Sequence, residues 1–186
     1  MVGRREMPAR RRPAAAMSAD TPAQFGWKRA AALGLSFRPI VDDDEVLFAG
    51  RVYASVRKEL LVDLPWSDAQ KAAFLLLQFR AEHAFYQKHH PDADWLLISA
   101  HDNDIGRLYL ECEEDEHRII DIALMPEFRG KGSGTALLRD LMDEAEAAGK
   151  PLSAEVDKRS RAIRLYRRLG FKTRQDNGAS DLMRWP

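Results

Sequence analysis

The 186-residue chain has one cysteine, Cys112, so no disulfide can close within it. No apolar run approaches the ~20 residues needed to span a bilayer, and residues 1–34 lack the apolar core of a secretory signal, so a cytoplasmic protein without membrane contact is expected. Formal net charge is zero. Basic residues gather before residue 35 and leave the remainder mildly acidic, which argues against nucleic-acid binding by the folded part. His83, His89 and His90 come without a cysteine or a patterned carboxylate, so no metal site is expected. No Ser-His-Asp or Cys-His spacing offers a covalent nucleophile.

What remains is an ordinary globular composition, 45% hydrophobic and 31% charged, long enough for one domain with a sizeable core. Residues 1–34 are rich in Arg, Ala and Pro and lack a sustained pattern of core positions. They read as a disordered basic tail, with a nucleic-acid-binding arm as the alternative, ahead of a single domain at 35–186.

The strongest local signal runs from Ile119 to Gly149. Ile119 to Met125 is β-branched and apolar and stops at Pro126, as a buried strand does. Leu137, Leu138, Leu141, Met142 and Ala145 then recur at helical spacing up to Gly149 and Pro151. Between strand and helix stand Arg129, Gly130, Lys131, Gly132, Ser133 and Gly134, where the first helical turn leaves its amides unpaired. Glycine lets backbone approach a ligand closely, and unpaired N–H groups at the positive end of a helix favour an anion. This is the chemistry of a phosphate seat. Its spacing fits neither a P-loop nor the Gly-x-Gly-x-x-Gly dinucleotide turn.

The rest of the chain supplies a mixed α/β pattern. Leu35 to Ile40 reads as a strand, and Asp42 to Asp44 as the cap of a helix. Ser67-Asp68-Ala69-Gln70 is a capping box opening a second helix toward His89. Trp95–Ser99 and Ile105–Cys112 read as a hairpin, and Leu152–Val156 as a strand. Ala162, Leu165, Tyr166 and Leu169 form one face of a short helix stopped by Gly170, and two last strands flank Asp176-Asn177-Gly178.

Arg129-x-x-Gly132-x-Gly134, behind a strand ending Ile-Ala-Leu-Met-Pro-Glu and ahead of both the amphipathic helix and the segment Ala162–Phe171, resembles the GNAT acyltransferase superfamily. Its members transfer an acetyl group from acetyl-CoA to an amine. The likeness covers roughly Leu35 to Trp185 and is detailed from about Ile119 to Phe171. It implies a GNAT fold, a mixed, mostly antiparallel sheet with splayed central strands and about four helices, and a homodimer is compatible with it.

The resemblance also implies roles. The backbone of Ile122, Ala123 and Leu124 would pair with the pantetheine arm of acetyl-CoA, and the amides from Gly130 to Thr135 would hold its diphosphate. Arg129 would reach phosphate or cap the loop. Tyr166 would protonate the departing thiolate, the alternative being that it only packs beside Leu165 and Leu169. Asp121 and Glu155 are candidates for the base, each equally suited to an ion pair. The basic run Lys158 to Arg168 would meet the adenosine 3′-phosphate or form a solvated face. Relatives often keep an asparagine before the Leu-Tyr pair, where this chain has Arg159 and Ser160. The expected function is acetyl-CoA-dependent N-acetyltransfer to a primary amine of an unidentified acceptor. A non-catalytic acyl-CoA-binding module of the same fold is the rival.

Overall fold

The computed structural model describes residues 25–186. Five α-helices and seven strands run in the order α1 (Lys28–Ala32), β1 (Leu35–Pro39), α2 (Asp43–Arg57), α3 (Asp68–His89), β2 (Asp94–Ala100), β3 (Asn103–Cys112), β4 (His117–Leu124), α4 (Ser133–Ala147), β5 (Leu152–Asp157), α5 (Ala162–Arg168), β6 (Lys172–Asp176) and β7 (Ser180–Trp185). They form one sheet of order β1-β2-β3-β4-β5-β7-β6, antiparallel throughout except where β4 meets β5.

Local chemistry accounts for the elements. Both early helices open on capping boxes, Asp42 with Glu45 and Ser67 with Gln70, each pair satisfying two amides that a helix start would leave orphaned. The β2–β3 hairpin turns at His101 and Asp102, both at positive φ, the mirror-image turn that matches strand twist. Gly106 in β3 has no room for a side chain, since a Cβ there would lie 2.4 Å from the Ala123 carbonyl oxygen of β4. The acidic turns are spent structurally. Glu45 pairs with Arg38, while Glu113 and Glu116 pair with Arg118.

Period-two alternation divides the sheet into two apolar layers. Leu96, Ile98, Leu108, Leu110, Ile119, Leu152, Ala154 and Val156 face α1, α4 and α5. Leu97 faces the other way and packs with Ala49, Tyr53, Leu75 and Phe79 of α2 and α3.

The expectation of an irregular tail through residue 34 does not hold for its last ten residues, and residues 1–24 lie outside those described. Trp27 and Ala30 are buried in the larger core, and Trp27 stacks on Phe25 and meets Phe37 edge-on. The buried Asp140 of α4 caps α1 from across the chain, accepting from the Ala30 amide at 2.8 Å and the Arg29 amide at 3.2 Å. The pattern is too short to show helical spacing, and its cap comes from 110 residues away.

Candidate functional site

The site begins with a strand that leaves its neighbour. β4 pairs with β5 in parallel over only three positions, His117/Leu152, Arg118/Ser153 and Ile119/Ala154. The register of β4 against β3 slips just beyond, where Tyr109 faces Asp121 and Leu110 faces Ile119. Ile120 is therefore the extra residue of a β-bulge, which bends a strand and increases its twist. Past it, Asp121 to Leu124 stay with β3, while Glu155 to Asp157 of β5 pair only with β7. A gap opens between the two strands.

The hydrogen-bond phase decides what lines that gap. The Met125 amide donates to the Ile105 carbonyl at 2.8 Å, and antiparallel pairs alternate, so Asp121 and Ala123 turn their backbone toward β3. Ile122 and Leu124 turn theirs toward the gap. The Leu124 carbonyl is already engaged, accepting from Arg129 Nε at 2.7 Å. Arg129 also reaches the Ser55 hydroxyl at 3.0 Å, so this side chain ties α2 to the end of β4.

At the mouth of the gap the chain makes its glycine turn. Gly130 and Gly132 have φ of 74° and 96°, the left-handed region that other residues enter at a cost, and a Cβ at either would meet nothing within 4 Å. Gly132 is the N-cap of α4 and no side chain caps the helix. The first intrahelical amide there is that of Ala136, bonded to the Gly132 carbonyl at 2.9 Å. The amides of Ser133, Gly134 and Thr135 precede it and have no intrahelical acceptor. Lys131 lies over the Phe128 ring at 5.5 Å. The loop thus presents N–H groups, a helix dipole and open space, which suits an anion.

Tyr166 approaches from the α4/α5 side. It is 3% exposed, sits edge-on to Phe171 at 5.0 Å, and burial, with the charge of Asp121, pushes its hydroxyl well above the usual phenol range. It is a phenol that keeps its proton.

Asp121 lies on the opposite face, toward α2 and α3. Its carboxylate accepts from Arg107 Nε at 2.7 Å, and Arg107 donates to the Ala49 carbonyl at 3.2 Å while lying 5.2–5.5 Å from the Tyr53, Phe79 and Tyr109 rings. Glu155 is exposed on β5 and is bonded by Ser180 and by the Asn177 amide, so it serves the β6–β7 turn. The two carboxylates therefore belong to different surroundings.

A further cluster, absent from the sequence-based candidates, surrounds Asp121. Arg57 at the end of α2 pairs with Glu82 of α3 at 3.2 Å and lies over the Tyr53 ring at 4.5 Å. Burial raises the Glu82 carboxyl above its ordinary value, with Arg57 opposing and Asp121 adding to the shift. Burial likewise pushes Tyr86 up to about 12. Two charges interrupting apolar strands, Arg107 and Asp121, were the available signal; the partners on α2 and α3 had none.

The other candidates disperse. His83 is buried among Phe79, Trp95 and Tyr109, and burial lowers its pKa; His89 bonds the Phe85 carbonyl, and His90 bonds Glu111 at 2.6 Å. Among the described residues Cys112, His117 and Glu144 bring ligand atoms within 4.8 Å of one another, a looser set than the about 3.3–3.8 Å ligand separations of a tetrahedral site with 2.0–2.3 Å bonds. Of the basic run, Lys158 pairs with Asp176 and Asp181, Arg159 with Asp157 and Arg167 with Asp181, while Arg161, Arg164 and Arg168 are exposed. No described helix is long and apolar enough to cross a membrane.

Comparison with known proteins agrees with this geometry. The family model of the acetyltransferase (GNAT) domain matches residues 91–173. No curated protein sequence matches the chain. Among solved structures, the PaiA N-acetyltransferase of Thermoplasma acidophilum in complex with coenzyme A is similar at TM-score 0.60 and 17% identity, covering 81% of this chain and 97% of that one. The ribosomal-protein-S18-alanine N-acetyltransferase of Escherichia coli is similar at TM-score 0.52 and 21% identity, with 81% and 90% covered. An acetyltransferase of Thermus thermophilus is similar at TM-score 0.56 and 17% identity, with 82% and 95% covered. Residues 91–173 thus match the GNAT acetyltransferase domain, and the described residues share the fold of these acetyltransferases.

Proposed function

We propose that the protein is an acetyl-CoA-dependent N-acetyltransferase that moves the acetyl group directly from the thioester to a primary amine. The observation carrying this reading is the parting of β4 from β5 after Ile119/Ala154, beside an uncapped α4 N-terminus that opens on Gly132 at φ 96°. The gap takes the pantetheine arm, whose amides pair with the backbone of Ile122 and Leu124. The diphosphate rests on the amides of Gly130 to Thr135. The structural likeness to an N-acetyltransferase solved with coenzyme A supports this placement.

Transfer then follows from the groups around the gap. The Leu124 N–H faces the thioester oxygen and stabilises the oxyanion that forms as the amine attacks, an effect worth about 3–4 kcal/mol per donor where measured. As the carbon–sulfur bond breaks, Tyr166 gives its proton to the thiolate, a task suited to a phenol held protonated. Asp121 and Glu155 stand on the amine side of the sheet, but each is already engaged, by Arg107 and by the β6–β7 turn.

The test is free-thiol release from acetyl-CoA across a panel of amines, beside thermal stabilisation by acetyl-CoA alone. The reading expects stabilisation, thiol release that depends on an amine, and loss of that release in Tyr166→Phe. Stabilisation with no amine-dependent release, unaffected by the substitution, would identify a binding module instead.

A further inference from the structure

Resting on the acetyltransferase reading above, we propose that the amine enters from the α2/α3 side of the gap as a primary alkylammonium and that Glu82, held by Arg57 beside Asp121, is the group that takes its proton. Position is the first argument. The last turn of α2 is fixed at the mouth of the gap, because Ser55 accepts from Arg129, whose Nε holds the carbonyl at the end of β4. Asp157, the last residue of β5, is held below the usual carboxylate range by the Arg159 amide and, as the smallest of its effects, by the charge of Arg57. Arg57 in turn grips Glu82 at 3.2 and 3.5 Å. These contacts put Glu82 across the sheet from Tyr166, with Asp121 sensed by both.

Accessibility is the second argument. The side chains of Glu82 and Asp121 are each 25% exposed, whereas that of Arg107 beneath them is 3% exposed. The two carboxylates are thus partly open to solvent, while the guanidinium that binds Asp121 is buried. Tyr53, 3% exposed, and half-buried Tyr86, one turn along α3 from Glu82, add aromatic rings, a chemistry that suits a cation with a short alkyl stem. Arg57 already lies over the Tyr53 ring in the resting protein.

Chemistry is the third. Asp121 is spent on Arg107, while Glu82 is raised by burial toward the working range of a base. Around it stand Tyr53 and Arg57 on α2, Tyr86 on α3, Arg107 and Tyr109 on β3 and Asp121 on β4. In the transfer, Glu82 first takes one proton from the ammonium and releases it to solvent; the neutral nitrogen then bonds to the acyl carbon and passes a second proton to Glu82. The carbon–sulfur pair leaves with the thiolate, which takes one proton from Tyr166. Amide and free CoA result, and the proton on Glu82 returns through solvent to the phenolate.

The experiment uses the full-length protein with acetyl-CoA and three probe amines, n-butylamine, spermidine and Nα-acetyl-lysine amide. Acetyl-CoA binding is measured by calorimetry and thiol release across pH. Glu82→Gln should bind acetyl-CoA within about twofold of the unsubstituted protein and lose roughly 10²-fold or more in kcat/KM for the amine, together with the acid limb of its pH profile. Glu82→Asp should recover part of the rate. Arg57→Gln, which removes a charge that favours the carboxylate, should move the acid limb to higher pH, and it keeps the inference open to refutation if Glu82→Gln does not fold. An unchanged rate and pH profile in Glu82→Gln would overturn the assignment and leave the acetyltransferase reading standing. Failure to acetylate any of the three amines by a protein that binds acetyl-CoA would also overturn the assignment, and would count toward the binding module. A protein that does not bind acetyl-CoA would sink both.

Discussion

The two sides of the gap between β4 and β5 are built from different materials. On the side proposed for the cofactor the groups are backbone, the N–H of Leu124 and the amides from Gly130 to Thr135, positioned by a bulge, two left-handed glycines and a helix start within sixteen consecutive residues. On the side proposed for the amine they are side chains, Tyr53, Arg57, Glu82, Tyr86, Arg107 and Asp121, drawn from α2, α3, β3 and β4. Backbone geometry tolerates changes of residue so long as the turn survives. A side-chain cluster changes with any member. A fold reused for many amines would keep the first and vary the second.

If this contrast holds, substitutions on the two sides fail in different ways. The largest effect is expected for Tyr166→Phe, which removes the proposed proton donor. Rate should fall about 10²–10⁴-fold, with acetyl-CoA affinity unchanged by calorimetry. In the unsubstituted protein, burial keeps this phenol protonated beyond its usual range, so the basic limb of the rate profile should lie above about pH 10. Asp121→Ala comes next. It leaves the Arg107 guanidinium, 3% exposed, without its carboxylate, and chemical denaturation should show a loss approaching the about 3–5 kcal/mol of a broken buried pair, discounted because Asp121 itself is a quarter exposed.

Gly132→Ala tests the cofactor side with little damage to the core. A Cβ there meets no atom, but φ of 96° strains any other residue by about 1–2 kcal/mol, so acetyl-CoA should bind roughly tenfold more weakly while kcat at saturation holds. The smallest effect is expected for Asp140→Ala. It uncaps α1 far from the gap and should lower stability by about 1–2 kcal/mol without altering acetyl-CoA affinity.

What could be read from the chain alone follows the same division. The strand–glycine turn–helix of Ile119 to Gly149, the Asp42 cap, the Ser67 capping box and the Leu-Tyr segment of α5 are local patterns, and all appear where sequence spacing puts them. The family reading grew from those patterns. Missing were features that only tertiary contact creates. α1 is five residues capped by an aspartate on α4, so the domain starts earlier than residue 35. Arg129 carries a motif position, yet its guanidinium is bonded to Leu124 and Ser55. Glu82 and Tyr86, four apart on α3, carry no local signal of their own; the Arg57 ion pair with Glu82 and the charge of Asp121 set them apart.

The central claim is that the glycine turn before α4 holds the diphosphate of coenzyme A while the gap holds its pantetheine arm. Amide NMR of the labelled protein, titrated first with pantetheine and then with coenzyme A, tests it directly. Pantetheine should shift Ile122 and Leu124 and leave Gly130 to Thr135 in place, and coenzyme A should shift both groups. Coenzyme A shifts confined to other residues, or none at Ser133 to Thr135, would contradict the account.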